Sequence, residues 1–270
     1  LSPIIEAIGE HNTHTIKPNN LLDDWNDYLL GQLIVIEEMM NFNRGDIANT
    51  LKPILAAPPH VHRINQKHTK QFYIPNIQNC IIFTNREDAL TIEDSDRRYW
   101  IHESCLDTPR SDAYYAALWS FYAKGGCEKV AGWLLQRDLA AFNPKAPPPM
   151  TEAKDAMIEA TSPKQTRWAM AALREGGTFY GRELITAKEL VTCGNDPNNF
   201  DGTPGNITSK QAETGLRRAG YQSLGKVRIN SARTENLWAI GAKAGLLKQM
   251  KGTQIAERYL AETATKGKAA

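Results

Sequence analysis

Two acids follow a four-residue apolar run in Leu33-Ile34-Val35-Ile36-Glu37-Glu38. A short, unbroken apolar run is expected of a strand buried on both faces of a parallel sheet. Ligands of open α/β sheets sit beyond the C-terminal ends of such strands. One carboxylate at that place can hold a hydrated magnesium ion, and a second can polarise the water that attacks a γ-phosphate. A strand that simply ends in a polar loop reads the same way, so the pair carries little weight alone.

Three further groups accompany it. Cys80-Ile81-Ile82-Phe83-Thr84-Asn85 repeats the design, an apolar strand followed by a polar end, and the Asn85 amide can bond both a phosphate oxygen and an attacking water. Asp96-Arg97-Arg98 offers guanidinium groups, which stay charged and can stabilise a transferring phosphoryl group. A surface ion pair with Glu93 or Asp94 is the plainer reading of these arginines. Between the two strands, His62-Arg63-Ile64-Asn65-Gln66-Lys67-His68-Thr69-Lys70 reads as a basic hairpin. Arg63, Lys67, His68 and Lys70 could grip nucleic-acid phosphates without sequence preference, or simply be a solvated tip.

These groups need elements to hold them. Ile4, Ile5 and Ile8 suit one helix face, and Leu21 to Leu30 suits a second helix. A third helix is expected from about Asp46 to Leu55, and a hairpin over residues 60–74. Cys80 to Phe83 reads as a second buried strand. Residues 112–140 read as helical, with Tyr114, Leu118, Phe121 and Tyr122 spaced for packing. Strands alternating with helices argue an α/β domain. Asn143-Pro144-Lys145-Ala146-Pro147-Pro148-Pro149 cannot continue a helix and reads as an extended spacer. The expected division is a core over 1–142, a linker over 143–155, a second domain over 156–250 and a frayed tail over 251–270. In the second domain, helices are expected at Lys164–Leu173, at Thr186–Val191 with Thr186 and Glu189 as a capping box, and at Ser209–Ala219. Strands at Lys226–Ile229 and Leu237–Ile240 complete the order of a winged helix-turn-helix.

Composition narrows the partners. The net charge of +2 conceals an asymmetry: residues 160–270 carry 17 Lys and Arg against 9 Asp and Glu, so the first part is net acidic. A basic C-terminal part suits a polyanion, although solvated surface would look the same. No apolar run approaches the roughly 18 residues needed to span a bilayer. Cys80, Cys105, Cys127 and Cys193 form no CxxC pair, which argues against a zinc finger and for packing roles in a reducing compartment. His60 and His62 share a strand face but lack further ligands nearby. The start at Leu1-Ser2-Pro3-Ile4, without Met or signal peptide, reads as a piece of something longer.

The order of the four groups resembles superfamily 3 viral helicases. The stretch from Leu51-Lys52-Pro53 through Lys67-His68 to Thr84-Asn85 is similar to the C-terminal helicase part of phage and prophage primase-helicases. Lys67-His68 also resembles the hairpin tip of the papillomavirus replicative helicase. The resemblance implies an AAA+-like P-loop NTPase core, a winged-helix domain after it, and ATP with Mg2+ as cofactors. It implies self-association into a hexameric ring on single-stranded or forked DNA in the bacterial cytoplasm, without a membrane. By position, Glu37 handles magnesium through water, Glu38 activates the attacking water and Asn85 senses the γ-phosphate. Arg98, with Arg97 as second candidate, is the finger that reaches a neighbour's ATP. Lys67 and His68, flanked by Arg63 and Lys70, pull one DNA strand.

One departure from that family is that no GxxxxGK[ST] occurs in the 270 residues. Leu1 to Gly9 reads as the helix that follows such a loop, so the loop is expected just before Leu1, and this chain alone is expected to bind ATP weakly or not at all. The competing reading is a non-catalytic winged-helix DNA-binding and assembly module.

Overall fold

The computed structural model describes residues 1–40, 43–56, 58–104, 106, 108–197 and 204–266, so Cys105 lies outside the described residues. It is a mixed α/β chain that divides into two compact units, Leu1–Thr161 and Ser162–Ala270.

In the first unit, β1 (Thr13–Ile16) and β2 (Leu33–Ile36) run parallel, after a short opening helix α1 (Ser2–Ile8). β2 is the middle strand of a three-stranded parallel sheet, and all four of its residues are buried. That is the outcome expected for an apolar run covered on both faces. The other neighbour of β2 is β5 (Asn79–Ile82). Between β2 and β5 come α2 (Arg44–Ile54) and an antiparallel hairpin of β3 (Val61–Ile64) and β4 (Phe72–Pro75). Ile34 and Ile36 of β2, Ile47 and Leu51 of α2 and Ile64 of β3 meet in one core, all essentially inaccessible.

Several expectations are corrected. Residues 21–30 form no single helix. Two short 3-10 segments, Pro18–Leu22 and Asp27–Leu30, flank Asp23 to Asn26. The Asn26 side chain bonds the hairpin instead of continuing a helix, a competition typical of Asn and Asp. Among the described residues β5 is an edge strand rather than a doubly buried one, and Phe83 just after it is 47% exposed. The helix over 112–140 is broken: α3 (Asp112–Phe121) and α4 (Cys127–Leu135) are joined through Tyr122–Gly126, where Gly125 takes φ +83°. None of α3 is buried, so Tyr114, Leu118 and Phe121 do not pack a core as their spacing suggested.

The Pro-rich stretch does not end the first unit. α5 (Glu152–Thr161) follows it and returns Met157 and Ile158 to the first core. The helix begins on Thr151, whose hydroxyl accepts from the Lys154 N–H at 3.1 Å and donates to the Ile101 carbonyl at 2.6 Å.

The second unit packs α6 (Lys164–Leu173), α7 (Ala187–Gly194) and α8 (Ser209–Arg218) against an antiparallel sheet. Its strands are β6 (Leu184–Thr186), β7 (Tyr221–Arg228) and β8 (Thr234–Ile240), in the order β6-β8-β7. α7 opens on a capping box: the Thr186 hydroxyl accepts from the Glu189 N–H, and the Glu189 carboxylate accepts from the Thr186 N–H. Thr208 and Gln211 repeat the device on α8. α8 lies close on α6 because position 215 is glycine; a Cβ there would come within 2.6 Å of the Ala169 Cβ. α9 (Gly241–Leu247) and α10 (Gly252–Lys266) close the chain.

Residues 251–266 are therefore not a frayed tail. Ile255, Ala256 and Tyr259 form a buried stripe on α10, and the Glu262 carboxylate accepts from the Glu183 and Leu184 N–H groups at 2.6 and 3.0 Å. Burial of an apolar stripe together with two charge-assisted bonds fixes the helix.

Candidate functional site

Backbone pairing beyond the register pair Ile36–Ile82 brings the two strand-end motifs together. The Phe83 N–H donates to the Ile36 carbonyl and the Met39 N–H donates to the Phe83 carbonyl, both at 2.9 Å. The Thr84 hydroxyl donates to the Met39 carbonyl at 2.7 Å and accepts from the Arg86 N–H at 3.1 Å. On the other flank, the Glu37 N–H donates to the Ile16 carbonyl at 3.2 Å. Glu38 directly precedes Met39 and Asn85 directly follows Thr84, so this network holds both next to the joined strand ends. Glu37, Glu38 and Asn85 are all exposed there.

Glu38 has φ +54°, the left-handed region that a non-glycine residue enters at a cost of about 1 kcal/mol or more. Met39 anchors the strained turn: it is fully buried, and both its N–H and its carbonyl are bonded to the β5 side. Strain of this kind is retained where the surroundings over-determine it, and it concentrates at functional sites.

Two solvent-facing carboxylates and an amide at one sheet edge suit a hydrated magnesium ion, which favours oxygen ligands and keeps several waters. Among the described residues, no three His, Cys, Asp or Glu side chains gather to hold a metal ion, so phosphate oxygens and water would have to complete its shell.

The two arginines differ. Arg98 donates from Nη1 to the Asp96 carboxylate at 3.3 Å, and its Nε–H is buried without a partner. Its ion-pair partner is thus Asp96 and not Glu93 or Asp94. The cause is local: Asp96 Oδ1 accepts from the Arg98 and Tyr99 N–H groups at 2.9 and 3.0 Å, which turns the chain so that the Arg98 side chain lies over Oδ2. Glu93 pairs instead with Lys52 at 3.6 Å. Arg97 is exposed.

Burial works against the charged Asp96 carboxylate. The Tyr99 and Arg98 N–H groups, the Lys154 ammonium and the Arg98 guanidinium outweigh it, and the carboxyl is held below its ordinary range. Lys154 was not anticipated and no sequence motif marks it. Its side chain is only 1% exposed, and its Nζ donates to the Asp96 and Tyr99 carbonyls at 2.9 Å each.

The hairpin carries Lys67, His68 and Lys70 exposed in its turn, with His68 at φ +62° and Arg63 exposed on β3. His60 precedes β3 and is exposed, while His62 is buried with Nε2 unpartnered. The base of the hairpin is fastened by a second unanticipated pair. Asn26 Nδ2 donates to the Arg63 carbonyl at 2.9 Å, and Asn26 Oδ1 accepts from the Asn65 N–H at 2.6 Å. Asn65 Nδ2 in turn donates to the Asp24 carbonyl at 2.7 Å.

In the second unit, Lys210 and Arg217 on α8 and Lys226, Arg228 and Arg233 on the β7–β8 hairpin are exposed. The Arg217 guanidinium lies 5.4 Å over the Trp238 ring. Among the described residues no helix is long and apolar enough to cross a membrane.

Comparison with known proteins agrees with a mixed α/β assignment. Residues 2–98 match a family described as of unknown function, DUF5906. The chain is 31% identical over 195 residues to the DNA primase-polymerase of Nitratiruptor phage NrS-1, covering 67% of this chain and 26% of that protein. The apo structure of the NrS-1 C-terminal region (residues 305–718) shares the fold, with a TM-score of 0.53 at 18% identity over 89% of this chain and 63% of that one. A second apo form of that region gives a TM-score of 0.50 at 19% identity, with the same coverage.

Proposed function

We propose that this chain is part of a phage or prophage DNA-replication protein, and that its first unit is the ATP-hydrolysing module of a ring-forming superfamily 3 helicase. The observation that carries the reading is the clamp of Met39, Phe83 and Thr84, which fastens the strained Glu38 turn beside Asn85 at the ends of two paired parallel strands. The similarity to the primase-polymerase of NrS-1 supports a replication role.

In this reading the exposed Glu37 carboxylate holds the magnesium ion through water, and Glu38 accepts a hydrogen bond from the attacking water and orients it. Bound there, magnesium neutralises charge on the nucleotide's phosphates. The Asn85 amide donates to a γ-phosphate oxygen. Arg97, exposed beside the Asp96 turn, reaches the neighbouring subunit's nucleotide, while Arg98 braces the turn through Asp96. This reverses the order of preference that position alone suggested. Lys67 and His68 at the hairpin tip contact one DNA strand, with Arg63 and Lys70 adding charge. The three helices and hairpin of the second unit serve as a winged helix, with basic residues on α8 and on the β7–β8 hairpin facing DNA phosphates.

The 270 residues contain no GxxxxGK[ST], so the test needs a protein in which such a loop precedes Leu1. DNA-stimulated ATP hydrolysis is then measured for wild type and Glu38→Gln. Loss of turnover in Glu38→Gln with nucleotide binding retained supports the motor. Wild-type turnover in Glu38→Gln overturns it and leaves the DNA-binding module as the remaining reading.

A further inference from the structure

We propose that Lys154 is a positioning residue for the arginine turn, so that α5 sets where Arg97 points. The inference rests on the hydrolase reading above and extends it to a residue outside the four sequence groups.

Lys154 reaches the turn from 58 and 55 residues away in sequence, measured to Asp96 and Tyr99. Its ammonium has three donors. Two bonds go to the carbonyls of Asp96 and Tyr99 at 2.9 Å, and a longer one goes to Asp96 Oδ1 at 3.5 Å. Those two carbonyls bracket Arg97 and Arg98, so one cation holds both ends of the four-residue turn. The carboxylate of Asp96 closes the same turn from within, through its bonds to the Arg98 and Tyr99 N–H groups. A lysine is almost never fully buried unless it is paired, and this one gives up water to hold main chain.

The helix that delivers Lys154 is itself fixed. Met157 and Ile158 lie in the core, and Tyr99 and Ile101 pack against the same cluster. Thr151 adds its bond to the Ile101 carbonyl. The arginine turn is therefore not an independent surface loop. Its backbone is moulded on α5, and the exposed Arg97 is the side chain left pointing outward. Lys154 touches neither nucleotide nor DNA in this scheme and acts only through the turn.

The test uses the loop-bearing protein described above, with Lys154→Met as the variant. Met matches the length of the lysine stem but cannot donate. Folding is checked by circular dichroism and ring assembly by sedimentation. The expected result is a loss of ATP turnover on the order of 10²-fold, as for a misplaced catalytic group, with nucleotide affinity unchanged.

The decisive readout is mixing. A Lys154→Met subunit keeps its own Glu38 site but misplaces its finger, whereas Glu38→Gln does the reverse. Mixed rings should regain hydrolysis; if they stay inactive while both variants assemble, Lys154 does not act through a trans arginine. If Lys154→Met does not fold, Thr151→Ala loosens the same helix more gently, and the same mixing is expected to restore its smaller loss; no restoration again overturns the proposal. Arg97→Ala and Glu38→Gln serve as controls for the underlying reading. If both keep wild-type turnover, the hydrolase assignment fails. If both lose it while a folded Lys154→Met keeps it, only the positioning role fails.

Discussion

The Thr84 hydroxyl donates to the Met39 carbonyl at 2.7 Å across 45 residues of sequence and, beside the Met39 N–H bond to the Phe83 carbonyl, ties the turn after β2 to the turn after β5. Thr84→Val keeps the shape but removes both the donor to the Met39 carbonyl and the acceptor of the Arg86 N–H. Stability measured by urea unfolding is expected to fall by about 1–2 kcal/mol, the net value of two such bonds. ATP turnover in the loop-bearing protein is expected to fall by more than that implies, roughly tenfold or more, because Glu38 and Asn85 lose one of the bonds that hold their turns together. A variant that loses stability but keeps full turnover would show that the clamp is structural only.

The two arginines should separate cleanly. Arg97→Ala is expected to leave the unfolding midpoint of the chain unchanged, since its side chain is exposed. It should cost the assembled ring on the order of 10³-fold in turnover if it acts as an arginine finger. Arg98→Ala should instead lower stability, because it removes a partner of Asp96. Denaturation curves and steady-state hydrolysis on the two variants check this. The reverse pattern would return the finger to Arg98.

For the hairpin, Lys67→Ala is expected to abolish unwinding and weaken single-stranded DNA binding while sparing most ATP hydrolysis. Asn26→Ala should resemble it in unwinding even though Asn26 lies outside the tip, because the base of the hairpin loses its bonds to the Arg63 carbonyl and the Asn65 N–H. A fork-unwinding assay run beside an ATPase assay separates the two effects. Unchanged unwinding and DNA affinity in Lys67→Ala would remove the tip from the DNA path.

Parts of the fold that frame the candidate site could be read from residue order. The run Leu33 to Ile36 is buried on both faces as its composition required, and Thr186 with Glu189 caps its helix as the spacing implied. What escaped the sequence depends on long-range partners. Residues 21–30 are apolar enough for a helix, but Asn26 finds better acceptors and donors in the hairpin than in a helix of its own. The spacing of Tyr114 and Phe121 is that of a packed face, yet periodicity cannot say whether anything lies opposite, and both are exposed. Lys154 looks like an ordinary surface lysine, and only the fold brings two carbonyls to it from more than 50 residues away.

Asp96 also gives the first unit an acid dependence. Its carboxyl is held below the ordinary value in the folded chain, so it adds stability above the unfolded value of about 3.9. That contribution is lost as pH falls through the lowered folded value. Asp96→Asn should therefore be less stable than wild type at neutral pH, and the gap between them should shrink as pH falls below about 4. Urea unfolding at a series of pH values tests this. A constant gap down to the lowest pH would mean that Asp96 does not titrate with folding.

The last helix should be needed for folding. Glu262→Ala strips two N–H groups and weakens the pairing of the buried Arg182, for an expected loss of about 2–3 kcal/mol. Deleting residues 251–270 exposes the core face that Ile255 and Tyr259 cover and should leave the second unit unfolded by near-ultraviolet circular dichroism. A truncated chain with native spectra would make α10 dispensable.

The return of α5 to the first core has a consequence for how the chain comes apart. The Pro-rich stretch before it is exposed at most of its positions and is an obvious target for a protease. A single cut there would sever the main chain but leave Lys154, Met157 and Ile158 seated in the first core. The two pieces should then migrate separately on a denaturing gel yet elute together from a sizing column, a nicked molecule still joined by a buried ammonium, a threonine hydroxyl and two apolar side chains.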